Sequence, residues 1–281
     1  MNANFFSKKT MWEFLTLWVL FGVLVTGGLV IHGFTTFEYQ YDVPGVVRFD
    51  SFETTNLYAW IHLWVFLPVF LLSFDKKVYY ASRFRYLFPA IIAVAIPFLI
   101  WDYFFTAGGV WEFNDSYLTG FRIMGLPWEE YMFFFTVPFA CVFIYDCLNA
   151  YFPKNRIVLW EQSATILIGI ALIVLAVVFI SEIYTLTACV IAFMSLVWIR
   201  RKGEISFLAN FYRAFLVILI PFFLVDGILT GGYTDAPIVL YNEAHFSGYR
   251  FVSIPMEDLI YGFAMLLQAN YLYVKWSRHR S

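Results

Sequence analysis

IPFLIWDYFFTAGG (96–109) runs through a polar interlude into LTGFRIMGLPWEE (118–130), and the same order returns later in the chain. The second copy reads IPFFLVDGILTGG (220–232), an interlude, and FSGYRFVSIPMED (246–258). Pro97 matches Pro221, Asp102 matches Asp226 and Thr106 matches Thr230. Gly120 matches Gly248, Arg122 matches Arg250 and Pro127 matches Pro255. Glu129 and Glu130 match Glu257 and Asp258. From Arg to Glu the spacing is seven residues in both copies, and only the interlude differs in length. A repeat that keeps charged residues inside apolar sequence marks a site.

The surroundings of the repeat are strongly apolar. Of 281 residues, 62% are hydrophobic and 14% charged, against roughly 45–50% and about 25% in a soluble domain. The chain therefore reads as an all-α polytopic membrane protein. The apolar run from Trp12 to Ile31 follows Lys8 and Lys9 without a clear small-residue cleavage site, so it reads as an uncleaved first helix. Eight apolar segments are long enough to span, at roughly 11–33, 57–74, 86–106, 127–149, 162–180, 183–199, 208–230 and 256–275.

Four spans per half predict two parallel four-helix repeats, residues 1–155 and 156–281, related by an axis along the membrane normal. Trp12-Glu13 and Trp160-Glu161 opening the first helix of each half agree with this. The outer loop from Phe34 to Asn56, with Glu38, Asp42, Asp50 and Glu53, breaks the symmetry. With an inside N-terminus, all but three of the 18 basic residues fall on the inner side. The exceptions are Arg48, Arg122 and Arg250. That bias predicts an inner-membrane protein with both termini cytoplasmic.

Asp102 and Asp226 fall near the outer ends of the third and seventh helices, where a carboxylate needs protein, water or a partner. Arg122 and Arg250 are the expected partners. Glu129-Glu130 and Glu257-Asp258 open the fourth and eighth helices just after a proline. That is also an ordinary helix start, in which acids complement the helix dipole. Two copies, each with an upstream aspartate and an arginine at fixed spacing, favour a site. Three acids and one guanidinium per half cannot all stay ionised cheaply in a dry site, so one acid is expected to hold its proton. Such an acid is a general acid, with the other carboxylates acting as base or as stabilisers of a cation. Aromatic residues near the repeats, Trp101, Phe105, Trp111, Trp128, Phe133, Tyr249 and Tyr261, supply the faces that stabilise a cation in a desolvated pocket.

Other chemistry finds less support. His32 and His62 read as solvated or hydrogen-bonded, and His245 as an outside candidate for the site. Cys141, Cys147 and Cys189 lack metal-ligand spacing and read as packing residues. Gly22, Gly27 and Gly28 suggest close helix packing. No nucleotide-binding glycine motif follows a strand.

LLSFDKKV (71–78), IPFLIWDYFFTAGGVWEFN (96–114), LPWEEYMFF (126–134) and VPFACVFIYD (137–146) resemble the membrane-integral lycopene cyclase domain family. The P-x-E-[ED] hallmark of that family stands here as Pro127-Glu129-Glu130 and Pro255-Glu257-Asp258. The chain resembles the fused form, with both half-proteins in one polypeptide. Asp258 in place of Glu, and the missing counterpart of Gly109-Val110-Trp111, are its departures. The resemblance implies acid-catalysed, redox-neutral cyclisation of lycopene end groups to β rings, giving γ-carotene and then β-carotene. Relatives that cyclise longer, hydroxylated carotenoids leave the substrate less determined than the reaction. It implies an apolar carotenoid drawn from the lipid bilayer, no flavin or other cofactor, no metal, no nucleic acid, and association with other carotenoid enzymes. The rival class is a repeat-based secondary transporter or channel; charges near one membrane face, and not at the middle, favour the enzyme.

Overall fold

The computed structural model describes residues 8–32 and 47–278. Glu38, Asp42, Arg280 and the His32 side chain lie outside the described residues. Eight α-helices follow in order: α1 (Lys8–His32), α2 (Leu57–Leu72), α3 (Phe84–Ala107), α4 (Trp128–Tyr151), α5 (Glu161–Val178), α6 (Ile183–Arg200), α7 (Ile205–Leu229) and α8 (Met256–Arg278). Among the described residues, α1 and α3 to α7 are long and apolar enough to cross a membrane. The outward residues of α5, such as Leu167 and Val177, are apolar and exposed, which is the surface of a protein solvated by lipid.

The other two helices depart from the expectation of eight equivalent spans. α2 has 16 residues, about 24 Å at about 1.5 Å per residue, short of the roughly 30 Å hydrocarbon core. α8 is long enough, but it carries Glu257, Asp258, Gln268 and Asn270, all buried. It is the central helix, packed on α3, α4, α6 and α7. Some of its polar groups find partners inside the protein: Gln268 accepts from Trp18 and donates to Ser195, and the Asn270 amide donates to Leu266 O, while Asn270 Oδ1 and Glu257 Oε2 are buried without a hydrogen bond.

The halves interleave. α3 of the first half packs on α8 of the second, and α7 of the second packs on α4 of the first. Strand β1 (Trp111–Phe113) pairs antiparallel with β4 (Val239–Tyr241), in the register Trp111↔Tyr241, Glu112↔Leu240, Phe113↔Val239. Glu112 and Leu240 are equivalent in the repeat, so a local two-fold passes between them. Each half also has a short hairpin ahead of its acidic helix, β2 (Arg122–Ile123) with β3 (Leu126–Pro127), and β5 (Arg250–Phe251) with β6 (Ile254–Pro255).

Helix direction alternates, as polar contacts at the two ends show. At one end Lys202 bonds Glu13, Arg200 faces Glu161, and Lys275 and Arg278 grip Glu204. At the other, Arg48 pairs with Asp235, and Glu53 accepts from Tyr117 Oη and the Asp235 amide. These last contacts tie the outer loop of the first half to the interlude of the second. α1 and α5 are not equivalently placed: both lie against α6, and α1 also touches α3. Of the three glycines of α1 region, only Gly28 is in close packing, with its missing Cβ position 3.1 Å from Ile183 Cδ1. Gly22 and Gly27 have nothing within 4 Å.

Candidate active site

The repeat acids divide into two functional positions, and the division is the same in both halves. Glu129 and Glu257, the first acids, turn back to the loops. Glu129 Oε1 accepts from the amide and hydroxyl of Thr119, at 2.8 and 2.7 Å. Glu257 Oε1 accepts from the Ser247 amide at 2.9 Å and the Thr185 hydroxyl at 2.5 Å. Thr119 and Ser247 are equivalent residues, each ten before its glutamate. These glutamates secure the chain that leads into each acidic helix.

The second acids face inward. Glu130 Oε2 accepts from Tyr58 Oη at 2.7 Å. Asp258 accepts from Tyr184 Oη at 2.6 Å on Oδ1 and from Tyr241 Oη at 2.8 Å on Oδ2. Tyr58 and Tyr184 both lie in the first turn of their helix, α2 and α6. Asp102 Oδ1 accepts from Trp111 Nε1 at 2.7 Å. The Asp226 carboxyl adjoins that of Asp258, and its Oδ2 is buried with no donor to accept. Tyr241 lies in the interlude; burial first, then the charge of Asp258 beside it, hold its phenol well above the ordinary range, so it remains a proton donor.

Asp102, Glu130, Asp226 and Asp258 all line one cavity of about 420 Å³ between α2, α4, α7 and α8. The rest of its wall is mostly apolar, with Val65, Val137, Phe222 and Met265 among the lining residues. Trp64 of α2 and Leu224 of α7 line it and are themselves exposed, at 51% and 57%. The mouth therefore opens sideways between α2 and α7, onto the apolar surface. Among the described residues, no group of His, Cys, Asp and Glu is arranged to hold a metal ion.

The two halves of the repeat are each matched in one comparison: the family model described as lycopene cyclase covers residues 55–148 and again 181–276. The chain belongs to the lycopene cyclase family. No curated protein and no solved structure matches it.

In this cyclase the arginine hydrogen bonds run to acids of the interludes, where pairing with the repeat acids was expected. Arg122 bonds Asp115 at 2.6 Å and the Gly125 carbonyl at 2.9 Å. Arg250 bonds Glu243 and the Ser253 carbonyl, at 2.8 and 2.9 Å. Asp115 and Glu243 are repeat equivalents seven residues upstream. Each guanidinium thus spans an interlude acid and a carbonyl of its own hairpin turn and clamps the hairpin. The nearby acid offsets the cost of its partial burial, with 33% of the Arg122 side chain and 15% of the Arg250 side chain exposed. Arg250 also lies over Phe246 and Tyr241, 4.8 and 5.9 Å from the ring centres.

Of the aromatic candidates, Trp111, Phe133 and Tyr261 line the cavity. Trp101 and Phe105 are buried behind it, with Trp101 4.8 Å from Tyr261 centre to centre. Trp128 and Tyr249 lie away from it: Trp128 donates to Thr119 Oγ1, and Tyr249 is 64% exposed against Phe179. His62 is buried, with Nδ1 3.0 Å from Thr136 Oγ1. His245 is buried in the second interlude, bonding through its backbone to Asn242 and Tyr184, and does not line the chamber. Cys141 lines the cavity wall.

Tyr58, Tyr184 and Tyr241 were not singled out in the sequence. With aromatic residues at 22% of the chain, a tyrosine carries little signal alone. Aligning the starts of α2 and α6 would have exposed the Tyr58–Tyr184 pair.

Proposed function

We propose that this cyclase is an intramembrane lycopene β-cyclase, converting lycopene to γ-carotene and then β-carotene. The observation that carries this is an apolar chamber, open to the lipid side, in which four carboxyls from both repeats converge. A wholly apolar polyene enters such a chamber from the bilayer without meeting water. All eight helices, α2 and α8 included, cross the inner membrane, and other carotenoid enzymes are the natural neighbours for substrate delivery.

The chemistry needs an acid, a base and a dry cation site. Two adjoining carboxyls are held together by a proton between them. Asp258 already accepts a phenol on each oxygen, so we assign that proton to Asp226. Asp226 delivers it to the terminal double bond of the ψ end group, leaving a tertiary cation. The next double bond attacks that cation and closes the ring. Glu130 or Asp102, directly or through water, removes a ring proton, which sets the β double bond. One proton enters and one leaves, so the sequence is an isomerisation. Trp111, Phe133 and Tyr261 present ring faces to the cation, each worth about 2 kcal/mol or more when desolvated, and keep water from trapping it as an alcohol.

The test is expression in lycopene-accumulating cells, with amide variants of the four acids at matched protein levels. Asp226→Asn is expected to lower ring formation by about 10²–10⁴-fold, the range for loss of a general acid. In D₂O the wild type is expected to place one deuterium in each new ring. Normal cyclisation by all four amide variants, or rings without solvent deuterium, refutes the reading.

A further inference from the structure

The two-fold relation between the halves calls for two chambers. One is the open cavity, whose wall includes Phe222, Val225, Ala140 and Val69. Their repeat equivalents are Phe98, Trp101, Gln268 and Ser195, which mark the place of the second. That place is occupied by α1. Trp18 of α1 lies 4.8 Å from Phe98, ring centre to ring centre, and donates from Nε1 to Gln268 Oε1 at 2.9 Å. Gln268 in turn donates to Ser195 Oγ at 2.8 Å. Phe21 lies 4.9 Å from Trp101. Trp18 and Phe21 are buried, as are Phe14 and Val25 on the same helix face. α5, the equivalent of α1, makes no such insertion: it lies on α6 and α7 with most of its surface toward lipid, and leaves the gap between α2 and α7 open.

We infer that the chain holds a single reaction chamber, with α1 built into the place of the second, so that the two ends of the substrate are cyclised one after the other in the same site. This rests on the cyclase reading above. The acid count agrees with it: Asp102 and Glu130 of the first half face the same cavity as Asp226 and Asp258 of the second, so among the described residues no second acid set remains. A chamber with one lateral mouth admits one end group at a time. The monocyclic product therefore withdraws into the bilayer and returns by its other end. γ-Carotene is a released intermediate and exchanges with the membrane pool.

Two measurements test this. Wild-type protein in liposomes is given ¹³C-lycopene with excess unlabelled γ-carotene. Labelled γ-carotene is expected first, and labelled β-carotene only after a lag that lengthens with the unlabelled pool. Labelled β-carotene formed without a lag overturns the inference while leaving the cyclase reading intact. Wild-type protein that forms no ring removes both. The second measurement fills the open chamber with Val225→Trp, copying Trp101. Both cyclisations are expected to fall together, leaving lycopene. Accumulation of γ-carotene at the wild-type rate of first-ring formation reveals a second working chamber and overturns the inference. Should this variant fail to fold, the labelling experiment on the wild type still decides.

Discussion

One residue of register separates Glu129 from Glu130 in role, since adjacent residues on a helix point about 100° apart. Glu129 meets the loop and Glu130 meets the chamber, and Glu257 and Asp258 repeat the split. Amide substitution should therefore give two phenotypes. Glu129→Gln and Glu257→Gln weaken charge-assisted bonds to the loops, lowering stability by about 1 kcal/mol each, read as a lower unfolding temperature with ring formation largely kept. Glu130→Gln and Asp258→Asn act on turnover instead, and the reverse pattern would assign the catalytic positions the other way round. Tyr184→Phe and Tyr241→Phe each strip one donor from Asp258. Bonds of this type contribute about 1.5–3 kcal/mol, so cyclisation is expected to slow by roughly 10- to 100-fold, with membrane insertion unchanged. Arginine matters less directly. Arg250 stacks near Tyr241, but the repeat partner of Tyr241 is Phe113, which has no hydroxyl to offer an acid. Arg250→Lys is expected to slow turnover by roughly fivefold, about 1 kcal/mol of lost stacking, and Arg122→Lys by less. Equal effects at the two sites would show that the arginines act only on their hairpins.

The hairpins that deliver the acidic helices illustrate how turn chemistry sets an element. In the first, Met124 and Gly125 both have positive φ, 51° and 86°, the pattern of a two-residue type I′ turn. In the second, Val252 takes φ 61°, a region that disfavours a β-branched residue. Val252→Gly is expected to stabilise the protein by about 1 kcal/mol, seen as a higher unfolding temperature; an unchanged or lower value would mean that the valine side chain contributes packing that offsets its backbone. Most of the helices were readable because apolar length is a local property: each end predicted from hydropathy falls within three residues of the observed one. The acids stand out in the sequence because a repeat preserves spacing, but spacing did not separate Glu130 and Asp258, which line the cavity with Asp102 and Asp226, from Glu129 and Glu257, which do not. What pairs with each acid was not readable either. Tyr58 lies 72 residues from Glu130 and Tyr184 lies 74 from Asp258, separations that only the folded chain closes. The arginine pairing was hidden for a physical reason too: counting opposite charges ignored Asp115 and Glu243, each seven residues from its arginine and able to reach the guanidinium within the same hairpin region. The insertion of α1 beside α6 was equally hidden, since the buried Phe14, Trp18, Phe21 and Val25 and the exposed Val19, Leu20 and Val23 are alike apolar, so hydropathy does not mark the inserted face.

For the whole molecule, the even number of helices and the contacts at their ends bring the start of α1 and the end of α8 to one side. That rim holds Lys202 with Glu13, Arg83 with Asp146, and Lys275 and Arg278 with Glu204. The opposite rim holds Arg48, Arg122 and Arg250, each already paired with an acid. Basic residues near span ends resist translocation, so the crowded rim should face the cytoplasm. Pairing does not alter that expectation, because acids contribute little to the rule. That orientation would place the acid chamber toward the outer face, with its mouth between α2 and α7. Reporter fusions check both the count and the direction. Fusions ahead of Lys8 and after Ser281 are expected to read cytoplasmic, and an insertion at Ser116, in the interlude between α3 and α4, to read external. Opposite readings from the two termini would mean that α2 or α8, the short helix and the polar one, does not cross. Matching external readings would keep all eight spans and invert the molecule, turning the chamber toward the cytoplasmic leaflet and requiring the substrate to be drawn from there.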